Sequence, residues 1–159
     1  MMPITTIDRP QVPDGYGIPQ TEEGLLPWEQ VRERLEQAKN YWITTASSAG
    51  KPHAAPLWGA WLDDKFYFDG GITTRWGRNL SANPQIVVHL ESGSEVVIVE
   101  GMFTAQNDLD EASFARVRAS YASRYNYQPE TREQLYLVRP SKVLAWTTFP
   151  TDMTRFGLE

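Results

Sequence analysis

The chain has 159 residues, of which 41% are hydrophobic and 22% are charged, a composition typical of one folded domain. It contains no cysteine, which excludes disulfides, thiolate catalysis and cysteine-ligated metal sites. Its formal charge of −5 at pH 7 argues against duplex nucleic acid as a partner. No stretch approaches the roughly 18 apolar residues of a membrane span, so we predict no membrane partner.

The first 26 residues are predicted to form an extended arm, which precedes a single domain at residues 27–159. The arm is rich in proline and glycine, and it lacks both the apolar core and the basic start of a secretory signal peptide. We therefore expect a cytoplasmic protein. Such arms pack across a partner subunit or stay disordered, and the sequence leaves both alternatives open.

Hydrophobic periodicity predicts, in chain order, a helix, three strands, a short helix, two strands, a long helix and a final pair of strands. The first helix is amphipathic because Trp28, Val31 and Leu35 recur at helical spacing. Asp108 and Glu111 have the spacing of a capping box and predict the start of the long helix. The helices are placed at 27–40, at 73–82 and after 108, and the strands at 41–45, 52–62, 65–69, 85–91, 95–105, 135–138 and 142–149.

The order of these elements predicts a mainly-β fold. At least six strands joined by tight turns favour a small, mostly antiparallel barrel with peripheral α-helices. Pro56 lies within the second predicted strand and indicates an edge, a bulge or a bend there. The chain shows no internal repeat and no linker that would divide the domain.

The segment with the clearest chemistry is the strand-to-helix connection at residues 70–79, which we call the TTR loop. Two glycines free the backbone, two threonines offer hydroxyl groups, and two arginines follow in the first turns of the predicted helix. Helix N-termini and arginine side chains both suit a phosphate. The alternative is that a threonine caps the helix and the arginines lie on a solvated face, and the residues alone leave both open. The candidate residues are Gly70, Gly71, Thr73, Thr74, Arg75 and Arg78.

Other residues give weaker signals. The aromatic residues near the TTR loop suit a flat ring, although each alone is better explained as a core residue: these are Trp58, Trp61, Tyr67 and Trp76. His89 is interpreted as a hydrogen-bonded barrel histidine, whereas His53 begins a strand and could touch a ligand. Two histidines without clustered carboxylates predict no metal site. No hydrolase motif is present, and no catalytic acid–base pair can be named.

The run from Tyr41 to Gly101 resembles the pyridoxamine 5′-phosphate oxidase-like superfamily, and within it the flavin/deazaflavin oxidoreductases of the FDOR-B group. The pieces that carry the resemblance are GKPH, PLWG, TRWGRNL and HLESG, together with TRF at residues 154–156. The resemblance implies a split β-barrel and a homodimer with two interfacial sites. The implied cofactor is FMN or the deazaflavin coenzyme F420, with F420 favoured.

The resemblance also implies which residues bind the cofactor. The second strand would border the ring system through Pro52, His53, Ala55, Pro56 and Trp58. The phosphate end would be held by Thr73, Thr74, Arg75, Arg78 and Asn79, and Arg155 would approach the site from near the C-terminus. Trp76 stands where many relatives have a lysine and would lie against the cofactor, so phosphate binding is expected to depend on the arginines and backbone N–H groups.

The implied function is a cofactor-dependent oxidoreductase. It would transfer hydride between F420 or FMN and a small, conjugated organic substrate. The alternative is a non-catalytic binding or storage protein for flavin, haem or another planar ligand. Oxidation of vitamin B6 is not expected, because the chain ends in TRFGLE and lacks the basic, histidine-containing C-terminal pattern of true pyridoxamine phosphate oxidases.

Overall fold

Nine strands form one antiparallel sheet in the computed structural model, which describes residues 1–159. The strands are β1 (Ile4–Asp8), β2 (Tyr41–Ala46), β3 (Pro52–Leu57), β4 (Ala60–Leu62), β5 (Lys65–Asp69), β6 (Gln85–His89), β7 (Val96–Thr104), β8 (Leu135–Trp146) and β9 (Thr154–Leu158). The helices are α1 (Trp28–Gln37), α2 (Arg75–Ala82) and α3 (Glu111–Tyr125), with a short 3-10 helix at Arg132–Gln134. The predicted mainly-β, antiparallel split-barrel class is confirmed.

Strand β8 pairs with different strands along its length. Its first residues pair with β5, while residues 142–145 pair with β9. The main path runs β1-β9-β8-β7-β6-β2-β3, and β4 pairs only with β5. Strand β3 is therefore the end of the path, and one of its edges has no strand beside it. Helix α2 packs against β2 and β3 at this end of the sheet.

The inner face of the sheet holds the main core. Trp28, Val31 and Leu35 of α1 join this core, as the predicted amphipathic helix requires. A second, smaller cluster lies under α3, where the predicted apolar stripe is buried against β4 and β5. That stripe consists of Phe114, Val117, Tyr121 and Tyr125.

The predicted strand at residues 52–62 is two strands, so its continuity was wrong. The chain breaks at Trp58 and Gly59, between β3 and β4. A Cβ at Gly59 would lie 2.4 Å from the ring of Phe66, so only glycine lets the backbone pass this close to the core. The break turns Trp58 outward, with 44% of its surface exposed.

The final strand pair was also wrong, because residues 135–146 form one strand, β8. Pro140 lies within it, opposite a register shift at Glu100 and Gly101 of β7. A Cβ at Gly101 would lie 2.4 Å from the carbonyl oxygen of Arg139. The extra residue of this bulge is Ser141 of β8, directly after Pro140, so the strand continues past a proline that the sequence pattern interprets as a strand end.

Helix α3 is capped by Asp110 and not by Asp108, so the predicted capping box was wrong. The Asp110 carboxylate accepts a 2.7 Å hydrogen bond from the N–H of Ser113. Asp108 instead accepts from Lys65, Tyr67 and Arg139, which tie the start of the helix to β5 and β8.

The two terminal segments meet in a pair of strands that the periodicity did not predict. Within residues 1–26, β1 pairs antiparallel with β9. The following segment is held by Arg9, whose guanidinium donates to the carbonyl oxygens of Thr21, Glu23, Thr151 and Met153. The N-terminal segment thus adds the outermost strand of the sheet.

Candidate functional site

The TTR loop connects β5 to α2 through a helix cap. The hydroxyl of Thr74 donates to the carbonyl oxygen of Gly71 at 2.7 Å and accepts from the N–H of Gly77 at 3.1 Å. Thr74 is therefore the N-cap residue, which is the structural role that the sequence left open. Thr73 lies beside it in an exposed position.

Two residues predicted to hold the cofactor have side chains that anchor the loop from the interior. Trp76 is buried and packs edge-on against Phe68 and Tyr136. The Asn79 amide is buried and donates to the hydroxyl of Thr45 at 3.0 Å, which joins α2 to β2. Their side chains fix the position of the loop and do not point to its exposed surface.

The arginines of the loop have no carboxylate partner. Arg75 and Arg78 are exposed, and neither lies within 4.0 Å of an acidic oxygen. Arg78 folds back and donates to the carbonyl oxygen of Thr73 at 2.8 Å. Because the two residues are three positions apart on a helix, their side chains share one face.

Two backbone donors at the start of α2 add to this positive surface. Gly77 bonds to the Thr74 hydroxyl, and Arg78 donates from its N–H to the Thr74 carbonyl oxygen. The N–H groups of Arg75 and Trp76 have no acceptor within the protein. Free N–H groups and the helix dipole both favour an anion at this end. The sequence could only indicate this feature, since which N–H groups stay free depends on the cap.

The free edge of β3 is rich in hydrogen-bond acceptors. In antiparallel sheets, bonded and non-bonded residue pairs alternate, and the N–H of Ser47 bonds to the carbonyl of Lys51. In that register Pro52, Ala54 and Pro56 direct their backbone groups away from β2. The prolines have no N–H, so this edge offers three carbonyl oxygens and the single N–H of Ala54.

The other ring-border candidates lie on both sides of this strand. His53 and Ala55 are half-buried and face the core side, opposite Thr45 and Ile43. Pro52 and Pro56 are exposed on the other face. The structure thus brings the strand and the TTR loop to the same end of the sheet, through the packing of α2 against β3.

Arg155 is not brought to this site within one chain. It lies on β9, on the face of the sheet opposite to α2. Its guanidinium forms two hydrogen bonds with the carboxylate of Asp8, at 2.8 and 2.7 Å. These bonds lower the pKa of Asp8 and raise that of Arg155.

On the side away from the main core, α3 covers β4, β5 and the start of β8, and we call the rest of this side, which carries no helix, the outer face. One row of cross-strand neighbours crosses it: Pro56, Trp42, His89, Ile98, Leu144, Arg155 and Asp8. Trp42 and His89 are stacked at 6.3 Å with their rings 4° from parallel. A groove of about 430 Å³ lies next to this row and is lined by residues that include Thr44, Val87 and Met102.

Comparison with protein family models identifies the family of this chain. The family model described as pyridoxamine 5′-phosphate oxidase matches residues 27–147. The chain belongs to the pyridoxamine 5′-phosphate oxidase-like family. The predicted resemblance is therefore confirmed, and the TTR loop and β3 both lie inside the matched residues. None of the curated proteins matches this chain.

Solved structures with the same fold have diverse descriptions. HutZ, a haem storage protein from Vibrio cholerae, has 14% identity and a TM-score of 0.57, covering 74% of this chain and 92% of its own. An F420 reductase has 19% identity and a TM-score of 0.53, covering 83% and 98%. A haem-binding protein from Mycobacterium smegmatis has 16% identity and a TM-score of 0.62, covering 85% and 59%. At these identities the likeness shows the fold alone.

None of the three α-helices combines the length and the apolar character that crossing a bilayer would require.

Proposed function

We propose that the protein is an oxidoreductase that binds F420 or FMN between the TTR loop and β3. It transfers hydride between that cofactor and a small, flat, conjugated substrate. The observation that carries this proposal is the set of unpaired donors at the start of α2, where two arginines and two N–H groups have no acidic partner. Membership of the family and the fold shared with an F420 reductase support it.

The phosphate end of the cofactor would be held at the TTR loop. Arg75 and Arg78 offer paired N–H donors that match phosphate oxygens. The backbone N–H groups of Arg75 and Trp76 supply two further donors. Trp76 and Asn79 act through their side chains as anchors, so that the donors keep one arrangement whether or not a ligand is bound.

The ring end would be held at the free edge of β3. Both cofactors carry a ring edge with one N–H between two carbonyl oxygens. The N–H of Ala54 suits one of those oxygens, and the carbonyl oxygen of Pro52 or Ala54 suits the ring N–H. This backbone recognition agrees with the small side chain of Ala54 between Pro52 and Pro56 at the three positions that face the free edge.

The bound cofactor would supply the hydride chemistry, so the chain itself needs no nucleophile or metal. The work of the protein residues is to bind the cofactor, orient its ring at β3 and leave the opposite ring face open to a flat substrate. The absence of an evident acid–base pair agrees with this division and would count against a hydrolase.

The functional unit is proposed to be a homodimer that packs through the outer face. The row from Pro56 to Asp8 crosses seven strands, a width of about 29 Å at a strand spacing near 4.8 Å. A two-fold axis parallel to the strands at Ile98 would bring the Arg155 end of one subunit over the β3 end of the other. This would place Arg155 at a shared site, as the resemblance implies.

Sedimentation velocity at micromolar concentration tests this dimer. We expect about twice the 18.1 kDa chain mass for the wild type. Ile98→Lys should give monomers, because it places a charge in the middle of the face. Ala119→Lys, on an exposed position of α3, is the matched control and should remain a dimer. A wild-type monomer would contradict the proposal.

Spectroscopic titration of the purified protein with FMN and with F420 tests the cofactor. Saturable binding of either one is expected, and no binding of either would overturn the proposal. Under anaerobic conditions, a flat conjugated quinone such as menadione should then oxidise the reduced cofactor faster on the protein than in solution.

The second candidate function is a non-catalytic store for a planar ligand, favoured by His89. Its Nδ1 lies 2.7 Å from the carbonyl oxygen of Leu90, which leaves Nε2 free on the outer face beside Trp42. A haem titration in which wild type gives a ligated Soret band and His89→Ala does not would support storage. Cofactor binding without accelerated turnover would support it as well.

A further inference from the structure

Two exposed aromatic rings form an open corner beside the TTR loop. Trp58 follows β3 and Tyr127 follows α3, and their exposed fractions are 44% and 41%. The ring centroids lie 6.2 Å apart, with the planes tilted by 46°. Two large aromatic side chains thus lie next to each other at the surface, with their planes inclined to each other.

The Trp58 ring is fixed on one face by a residue of α3. It stacks on Tyr125 at 4.7 Å with the planes 8° from parallel. The Tyr125 hydroxyl donates to the carbonyl oxygen of Gly59 at 3.1 Å, and the Arg124 guanidinium lies 4.8 Å from the Tyr125 ring. One face of Trp58 is therefore covered and the other is free. A ring fixed in this way loses little conformational entropy when a ligand stacks on it.

The carboxylate of Asp69 lies at the base of the corner and has no cationic partner. One oxygen accepts from the hydroxyl of Tyr121 at 3.0 Å, and the other accepts from the hydroxyl of Tyr127 at 2.8 Å. No lysine, arginine or histidine nitrogen lies within 4.0 Å of it. The hydrogen bond to Asp69 raises the pKa of Tyr127, so its hydroxyl remains a donor. The Asp69 carboxylate thus lies between the hydroxyl groups of Tyr121 and Tyr127.

The corner adjoins the proposed cofactor site without using the phosphate donors of the TTR loop. Asp69 directly precedes Gly70. The Tyr121 hydroxyl also lies 3.4 Å from the carbonyl oxygen of Trp58, which places the end of β3 beside the start of the loop. A ligand in the corner would lie where the loop and β3 meet.

We propose that Trp58, Tyr127 and Asp69 form a binding site for a planar organic cation of the pyridinium class. A flat cation can stack on the free face of Trp58, where the ring quadrupole attracts positive charge. Tyr127 forms the second wall, and Asp69 supplies the compensating charge. This goes beyond the proposed oxidoreductase function, which defines the substrate only as small, flat and conjugated and assigns no site for a cation.

The test is a calorimetric titration of cofactor-free protein with N-methylpyridinium chloride at pH 8 and low salt. Saturable binding with a dissociation constant of about 1 mM is expected, since a few kcal/mol of attraction corresponds to that affinity. Pyridine, which is uncharged at pH 8, is the matched neutral probe and should bind at least about tenfold more weakly. Tetramethylammonium carries the charge without the plane and should also bind more weakly.

Variants locate the site. Asp69→Asn should weaken N-methylpyridinium binding about tenfold and leave pyridine binding unchanged, while Asp14→Asn, which removes a charge from the exposed N-terminal segment, should change neither. Tyr127→Leu changes an exposed residue and keeps the test valid if Asp69→Asn does not fold. It should weaken binding of the cation about three- to tenfold.

Three results would overturn the proposal: no saturable binding of N-methylpyridinium, equal binding of pyridine, or equal binding by wild type, Asp69→Asn and Tyr127→Leu. The outcome is separate from that of the proposed function. Because the titration needs no cofactor, the Arg75→Ala, Arg78→Ala double variant should bind the pyridinium probe as wild type does, even if neither F420 nor FMN binds the protein.

Discussion

Two pairs of arginines carry the same charge in opposite surroundings. Arg124 is half-buried and Arg155 is paired with a carboxylate, so both are engaged within the chain. Arg75 and Arg78 lie at an exposed helix start with no acidic partner. Each of the engaged arginines has a partner from distant sequence: Asp8 is 147 residues from Arg155, and Ala38 is 86 residues from Arg124. An arginine is therefore a candidate for ligand binding when folding leaves its donors unused, which its local sequence does not reveal.

Arg124 gives the largest expected effect. It donates to the carbonyl oxygens of Ala38 and Gly59 and to the hydroxyls of Tyr41, Tyr125 and Ser120. Arg124→Met would leave several part-buried acceptors without a donor, so we expect the free energy of unfolding to fall by roughly 3 kcal/mol. Urea denaturation followed by circular dichroism measures this.

The control for Arg124 is Arg116→Met. Arg116 forms an exposed ion pair with Asp63 at 2.9 Å, and such pairs contribute about 1 kcal/mol or less. If both variants lose the same stability, the hydrogen bonds of Arg124 stabilise the fold no more than an exposed ion pair does.

The loop arginines should behave in the opposite way, with stability kept and binding lost. Arg75→Ala or Arg78→Ala removes charge-assisted bonds to phosphate worth about 1.5–3 kcal/mol, so the dissociation constant of FMN or F420 should rise roughly 10- to 150-fold. Riboflavin, which lacks the phosphate, should bind wild type and variants about equally. Fluorescence titration measures both ligands, and Arg116→Ala controls for the loss of one positive charge. Equal losses for FMN and riboflavin would show that these arginines hold structure and not phosphate.

The difference between partners that are near and partners that are distant along the chain also explains how much of the fold the sequence could predict. Hairpins and amphipathic stripes such as Phe114 to Tyr125 depend on near neighbours, and their patterns are visible locally. The β1–β9 pair joins the two ends of the chain, and four of the five residues of β1 are Ile or Thr without a clear apolar alternation. The sequence pattern interprets Pro140 as a strand end because the bulge at Ser141, through which β8 continues, depends on pairing with Glu100 and Gly101 of the distant strand β7.

The same difference between local signals and distant contacts applies to the candidate site. The glycines, threonines and arginines of the TTR loop could be selected from the sequence, because a helix start after a strand has a local signature. The burial of Trp76 and Asn79 could not, since it depends on Phe68, Tyr136 and Thr45. The hydrogen bonds of Asp69 could not be predicted for the same reason, since they come from Tyr121 and Tyr127, more than 50 residues along the chain.

Substitution of Gly77 tests the position of the TTR loop separately from its charge, because it displaces the loop and leaves both arginines in the chain. A Cβ there would lie 2.2 Å from the carbonyl oxygen of Ile72, so Gly77→Ala must push the loop away from α2. We expect a loss of about 1–3 kcal/mol in unfolding free energy, together with weaker FMN binding. Gly93→Ala is the control, because nothing lies within 4 Å of its added Cβ. A Gly77→Ala variant with wild-type stability and FMN affinity would show that the position of the loop does not matter for binding.

The smallest expected effect is the pH dependence of the Asp8–Arg155 pair. The hydrogen bonds from Arg155 lower the pKa of Asp8 in the folded protein. Its stabilisation is therefore present above the unfolded value, near pH 3.9, and is lost as the pH falls through the lower folded value. Because the pair is partly exposed, we expect Asp8→Asn to cost about 0.2–1 kcal/mol at pH 7, and the difference from wild type to vanish in strong acid. Urea denaturation at pH 7, 4 and 2.5 measures it. A difference that persists unchanged at pH 2.5 would mean that Asp8 acts through its shape in the β1–β9 pair and not through its charge.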